Sequence, residues 1–504
     1  MSVVSDLIAN VTNHPDGVAV IDGEVTLTWS ELFELVRRAG AWLAGEGVAR
    51  GDRLVYAGAP DHRMVVWFWA ALRRGVVFVP LHDELIAEQI AYTVTNCQAR
   101  AVVTEPRTGI LDLPSGPRVL TSDAAWSSAL ACTPNQWPTP ELPSLDELAL
   151  LIYTSGTTGK PRGVMCPHRQ VNAATRSINS QLRYRPDDVI LCRLPLAFDY
   201  GLYQLLLAAQ VGCSIVLAQR ASDFSLIDVL THNRVTVVPL VPTLAQMLVF
   251  LQIHRPKNTH IRLFTNTGAR MNQRTMEQLL KLFPGASYAS MYGMTECKRI
   301  SILPPQEYAA HPRSVGRAIP GLRITIEDSK GNTLPPGVEG EIAVRGDTVM
   351  SGYWGTPLTN DGRFRFDGSQ MVLYTGDRGH LDKDGLLYFS GRSDDIVKRH
   401  GTRISLHEIE DAADRCPGVQ AAVALRPETD MDPLVLTYVG DAEEEKVLQY
   451  LWSHLDQPRR PSSVHLLPAF PVNHNGKPDR TAIAKLIRTN STHTKETTHA
   501  AAGI

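Results

Sequence analysis

From about residue 24 to residue 292, short apolar and β-branched runs alternate with segments of helical period. This alternation limits the fold more than any other feature of the chain. TLTWSELFELVRRAGAWLAGEG opens with the β-rich TLTW, after which Ser30 is the expected N-cap of a helix with Leu32, Leu35, Val36, Ala39 and Leu43 at helical spacing. DRLVYAG and VVFVPL read as buried strands around the helix containing MVVWFWAALRRG. The alternation recurs through CQARAVVTE, CSIVLAQ, RVTVVPLVPTL, HIRLFTNTG and ASYASMYG. Such a chain is expected to be α/β, with mostly parallel sheets and helices on both faces. From about Leu322 the texture changes to short strands and turns (LRITIEDSKGN, GEIAVRG, GLLYFSG), which predicts a β-rich subdomain. A smaller α+β segment follows from about Asp394, with a helix near Glu443–Leu455, and residues 488–504 lack periodicity and read as a disordered tail. There is no internal repeat.

Composition excludes several classes of function. A chain of 504 residues is expected to hold two to four domains at roughly 150 residues each. Its 50 basic and 52 acidic residues give a formal charge of −2, so there is no field to attract a polyanion and no nucleic-acid partner is expected. Cysteines 97, 132, 166, 192, 213, 297 and 416 are isolated. That spacing offers neither a zinc cage nor a thioredoxin motif, and the odd count fits a reducing compartment. MSVVSDLIAN lacks the basic and apolar regions of a secretory signal. The longest apolar run, Met64–Leu72, is far short of the ~18 residues that span a bilayer. The expectation is a cytoplasmic protein with no membrane partner.

The strongest chemical signal is LALLIYTSGTTGKPRGV, residues 148–164. An apolar strand runs into a loop rich in Gly, Ser and Thr, followed by Lys160. Glycines let a backbone approach phosphate oxygens, and hydroxyls and N–H groups supply donors. The spacing is not that of a Walker A loop.

YTSGTTGKPRG resembles the signature loop of the adenylate-forming superfamily: acyl-CoA synthetases, adenylation domains of nonribosomal peptide synthetases, and luciferases. The other motifs of that family follow in order. TLTWSEL (26–32), GVVFVPL (75–81), MYGMTEC (291–297), GEIAVRGDTVMSGYW (340–354), YTGD (374–377), GRSDDIVKRHGTRIS (391–405) and NGKPDR (475–480) each resemble a family motif. The resemblance implies that ATP and Mg²⁺ are used. It implies that Thr154, Ser155, Gly156, Thr157, Thr158, Gly159 and Lys160 cradle the β- and γ-phosphates. Tyr292 would stack on adenine between Met291 and Gly293, Thr295 would bind the α-phosphate and Glu296 would hold Mg²⁺. Gly268, Ala269 and Arg270 are carried over as further nucleotide contacts. Asp377 would accept from the ribose hydroxyls, and Arg392 would reach the ribose and phosphates. Lys477 resembles the catalytic lysine, whose cation stabilises charge developing at the α-phosphate. The family pattern divides the chain into a large domain, 1–393, a small mobile domain, 394–487, and the tail. Asp394 would be the hinge, and rotation about it would bring the loop with Gly401 toward a thiol acceptor.

The acid pocket is less fully specified. Asp199, after Phe198 in LPLAFDYGLYQ, matches the position that pairs with the amino group in amino-acid-activating members; its other reading is the cap of the helix that follows. Tyr200, Tyr203, Pro239, Thr265, Thr267, Arg299 and Ile300 complete the expected pocket, with Met291 from the nucleotide side. Two tyrosines near the entrance imply a short cavity. Arg299 either clamps a second substrate carboxylate or joins Lys298 in a structural ion pair. The resulting expectation is an AMP-forming acid–thiol ligase. It would adenylate a small carboxylic acid, preferably an amino acid of β-amino or acidic type. The acyl group would then pass to the phosphopantetheine thiol of a separate carrier protein, since no carrier domain follows Lys477. The alternatives are an acyl- or aryl-CoA synthetase and a catalytically silent nucleotide-binding relative.

Overall fold

The computed structural model describes residues 2–106, 116–134, 140–154, 161–219, 221–358, 362–368, 370–392, 395–399, 402–427, 432–472 and 478–488, with backbone alone at 396, 398, 399, 402 and 403. Ser155, Gly156, Thr157, Thr158, Gly159, Lys160, Asp394, Gly401, Lys477 and the expected tail beyond residue 488 lie outside the described residues.

Two large sheets carry the β–α alternation. One has six strands, in the spatial order Arg118–Thr121, Ala101–Thr104, Arg53–Ala57, Val77–Pro80, Leu148–Thr154, Arg162–Pro167. All its pairings are parallel except the last. The other has nine strands, with a parallel centre from Val18–Asp22 through Ser214–Leu217, Val189–Cys192, Val237–Leu240 and Leu263–Asn266 to Ser287–Tyr292. Strands such as Val77–Pro80 and Val237–Leu240 are buried along their whole length, as expected where helices cover both faces of a parallel sheet. The α/β expectation is met. The β-rich subdomain is a five-stranded antiparallel sheet built on Gly340–Gly346 and Met371–Leu381.

Local signals set the helix ends. The helix Trp29–Gly45 is capped by Thr28, in a capping box with Glu31, rather than by the expected Ser30. The T-x-x-E pattern places the reciprocal pair on Thr28 because the preceding strand ends there. The helix His62–Arg74 starts at Asp61 and stops at Gly75, whose φ of 68° suits glycine.

Among the described residues the buried side chains form one large core, a smaller one around Val55, Val79 and Ile90, a minor one around Val423, Leu467 and Ile483, and a separate one in the C-terminal region. The last gathers Val397, Leu406, Ile409, Tyr438, Val447, Leu451 and Val464 around the sheet Val419–Leu425, Val435–Gly440, Ser463–Leu466. It touches the large core's region through Arg270, paired with Asp411, and through His407, packed against Phe389 with ring centroids 5.8 Å apart.

Candidate active site

The acid-pocket residues converge at the carboxyl ends of the central parallel strands, where α/β sheets place their ligands. Pro239, Thr265 and Ala289 sit side by side in register on three neighbouring strands. Thr267 directly follows Asn266, and the buried helix Asp199–Val211 begins after Cys192. Phe198, not Asp199, is the N-cap of that helix, and no side chain caps it. The cap reading of Asp199 is therefore replaced: its carboxylate, on a residue only 3% exposed, lies within the first turn.

Tyr200 and Tyr203 are each 1% exposed, so they form the wall of the pocket and not its entrance. The Tyr200 hydroxyl is 2.8 Å from the Thr265 carbonyl, to which it donates, and 2.7 Å from Thr265 Oγ1. Arg299 lies over the Tyr200 ring at 4.5 Å and Lys298 over the Tyr203 ring at 5.5 Å. Neither cation forms an ion pair with a carboxylate among the described residues, so the structural pair envisaged for Lys298 and Arg299 is absent; Arg299 Nη1 donates to the Lys298 carbonyl at 3.0 Å. Burial pushes the Tyr203 phenol well above its usual range, with Asp199 among the charges that add to the rise and Arg299 opposing it. Tyr203 Oη, Thr267 Oγ1, Lys298 Nζ and Arg299 Nε are all buried without a hydrogen-bond partner. Each such atom costs about 1–3 kcal/mol when left unpaired, a cost that a polar ligand removes. Met291 and Ile300 are buried beside them.

The nucleotide residues gather next to this pocket. The Tyr292 hydroxyl donates to Asp377 Oδ2 at 2.6 Å, and Arg392 Nε stands 3.5 Å from Asp377 Oδ1. Burial raises the Asp377 carboxyl, and Arg392 is the leading charge that counters it. The Tyr292 ring lies 5.6 Å from that of Phe389. Residues 293–300 form a tight loop in which the Ile300 N–H donates to the Tyr292 carbonyl at 2.8 Å. A Cβ on Gly293 would stand 2.0 Å from the Lys298 oxygen, so only glycine fits. This loop carries Thr295 and Glu296, both buried.

Glu296 Oε1 accepts from the Tyr353 hydroxyl and faces Arg363 Nη1 at 3.8 Å; Arg162 lies 3.8 Å over the Tyr353 ring. No cluster of three or more His, Cys, Asp or Glu side chains able to hold a metal occurs among the described residues. One hard carboxylate oxygen, completed by ligand phosphates and water, is a donor set that fits Mg²⁺. Tyr353 lies within a motif quoted above, whereas Arg363 lies in none, and no signal in the sequence singles it out.

Thr154 pairs with Arg162, where the antiparallel strands Leu148–Thr154 and Arg162–Pro167 meet. Gly268 has a φ of 83° and leads through Ala269 to Arg270. The Arg270 guanidinium rests on Asp411 of the helix Leu406–Asp414 rather than within the pocket. A cleft of about 760 Å³, lined by Arg193, Leu194, Val241, Leu244, Met247 and Val472 among others, opens along the same strand ends.

Residues 7–354 match the model of the AMP-binding enzyme family. Tyrocidine synthase 3 of Brevibacillus parabrevis is 29% identical over 94% of this chain, which spans only 7% of that protein's length. VinN, in its complex with L-aspartate, is 38% identical, with a TM-score of 0.71 over 78% of this chain and 98% of its own. ATP-bound MatB from Rhodopseudomonas palustris is 26% identical, with a TM-score of 0.85 over 96% of this chain and 99% of its own. No helix among the described residues is long and apolar enough to cross a membrane. The matched span and these likenesses show that the chain belongs to the AMP-binding enzyme family, the adenylate-forming ligases.

Proposed function

We propose that this protein adenylates a small amino acid bearing a second carboxylate and passes the acyl group to the phosphopantetheine thiol of a carrier protein. One observation carries the choice of acid. Asp199 and Arg299, each 3% exposed, both bear on Tyr203, and Arg299 Nε, Thr267 Oγ1 and Tyr203 Oη lack partners. Buried charges need counter-charges. An ammonium group answers Asp199, and a carboxylate not being activated answers Arg299 bidentately. The similarity to VinN, whose structure holds L-aspartate, supports the same class.

In the first half-reaction, an oxygen of the reacting carboxylate attacks the α-phosphorus of ATP and pyrophosphate leaves. In the second, the thiol sulfur attacks the acyl carbon, AMP leaves, and the thiol proton passes to solvent. The protein's task is to hold the reactants in line and neutralise charge. Tyr292 supplies the adenine platform, Asp377 and Arg392 hold the ribose, Thr295 contacts the α-phosphate and Glu296 holds Mg²⁺, which neutralises phosphate charge when bound. Ser155–Lys160 cradle the β- and γ-phosphates, and Lys477 stabilises the adenylation transition state. The division at Asp394 is read as a hinge, supported by the separate core that begins at Val397. The cleft beside Arg193 suits the approach of a thiol arm.

Pyrophosphate exchange across a panel of acids tests the reading. The highest rate is expected with a dicarboxylic amino acid; a best substrate without an amino group overturns it. Trapping the product on a carrier protein or on coenzyme A then decides the acceptor.

A further inference from the structure

One cation beside the nucleotide residues belongs to no motif. Arg363 immediately precedes the strand Phe364–Phe366, which pairs with the strand carrying Asp377. Its Nη1 is 3.8 Å from Glu296 Oε1. Its Nη2 is 3.8 Å from the point a Cβ on Gly376 would occupy, one residue before Asp377. The guanidinium thus lies against Glu296 and near the residue before Asp377, two buried carboxylates. Its charge is felt at both sides: it helps to lower the Asp377 carboxyl against burial, while Glu296 raises it, and it opposes the rise of the Tyr353 phenol. At 3.8 Å the contact with Glu296 is electrostatic and not a hydrogen bond.

We infer that Arg363 is a phosphate-contacting residue of the nucleotide site, donating to the α-phosphate of ATP and of the acyl-adenylate. The inference rests on the reading that Tyr292 and Asp377 take the adenosine and that Glu296 takes Mg²⁺. A 5′-phosphate must then lie between the ribose partner, Asp377, and the metal partner, Glu296, and the guanidinium lies close to both. Glu296 Oε1, already held by Tyr353, faces the guanidinium at 3.8 Å. A planar fork of donors suits phosphate oxygens. Its positive charge would persist through both half-reactions, because the α-phosphate remains in the acyl-adenylate and in AMP.

Equilibrium binding of AMP and of adenosine, both without metal, separates this role from a structural one. In the full chain, Arg363→Ala is expected to weaken AMP binding about tenfold or more and to leave adenosine binding unchanged. Arg363→Lys should recover part of the loss, and the AMP affinity of the wild type should fall more steeply with salt than that of Arg363→Ala. Unchanged AMP affinity in Arg363→Ala overturns the inference, as does an equal loss for AMP and adenosine. If Arg363→Ala does not fold, Arg363→Gln keeps the bulk of the side chain without its charge and is read in the same way. A wild type that binds neither AMP nor ATP instead overturns the nucleotide-site reading itself.

Discussion

Arg299 shows how one side chain can set the choice of acid. It is 3% exposed, stacked on Tyr200, and leaves Nε unpaired. On the proposed reading a substrate carboxylate would satisfy it, whereas a neutral side chain in its place would leave a desolvated cation, and sites built on hydrogen bonds reject analogues that lack the group. Arg299→Leu is therefore expected to depress the specificity constant for a dicarboxylic amino acid by roughly tenfold or more, while relatively favouring a neutral, apolar one. Pyrophosphate exchange with aspartate and a neutral amino acid checks this; an unchanged ratio would make the arginine structural. At this scale the sequence was informative where spacing to a motif exists, as for Asp199 after Phe198 and Arg299 after Glu296. It was uninformative about Lys298, because a lysine beside an arginine ordinarily reads as surface, and this one is fully buried with a φ of 60°. Arg363 precedes a strand in a local hairpin, but its approach to Glu296 joins distant parts of the chain, which no local pattern encodes.

Among the elements, the helix Leu406–Asp414 bears the most charge strain. It ends on Asp414, where burial, then Asp411 and Glu410, push the carboxyl up to about 7 against the pull of Arg270. A helix C-terminus is itself unfavourable for an anion. The unfolded chain loses this proton near pH 4, the folded chain near pH 7. The penalty is thus absent below the lower value, grows between the two, and is complete above the upper one. Asp414→Asn is expected to raise the melting temperature clearly more at about pH 8 than at about pH 5, the sign following from this linkage. Equal shifts at both pH values would assign the change to packing. Element identity was largely legible from apolar periodicity, since buried parallel strands leave continuous Val, Ile and Leu runs. Element ends were less so. Thr28 took the cap expected of Ser30 because Glu31 completes a box only from that position.

Among the described residues, the ties between the C-terminal core and the rest include Arg270–Asp411, His407 against Phe389, and Ser405 Oγ donating to the Ser390 carbonyl at 2.9 Å. Few contacts let one region turn on the other. If Lys477 serves one orientation only, Lys477→Ala should abolish adenylate formation while sparing transfer from a supplied acyl-adenylate. Asp411→Asn loosens a tie without removing a reacting group, so it should shift the ratio of the two half-reactions and leave AMP affinity unchanged. Assaying both half-reactions in both variants checks this: equal losses in Lys477→Ala, or a fixed ratio in Asp411→Asn, would count against alternation. Family motifs suggest a two-part division, but not the pairs that tie the C-terminal core to the rest, because each partner comes from a different region of the chain.

The two halves of the site are built from different materials. Asp199, Tyr203 and Thr267 present side chains from a helix or just past a strand end, whereas Thr295 and Arg299 share a loop that depends on backbone room only Gly293 allows. On the proposed reading, a library confined to Asp199, Tyr203 and Thr267 would redirect the choice of acid by ordinary point substitution without touching the loop that Gly293 shapes, whereas any change at Arg299 would be felt on the nucleotide side as well.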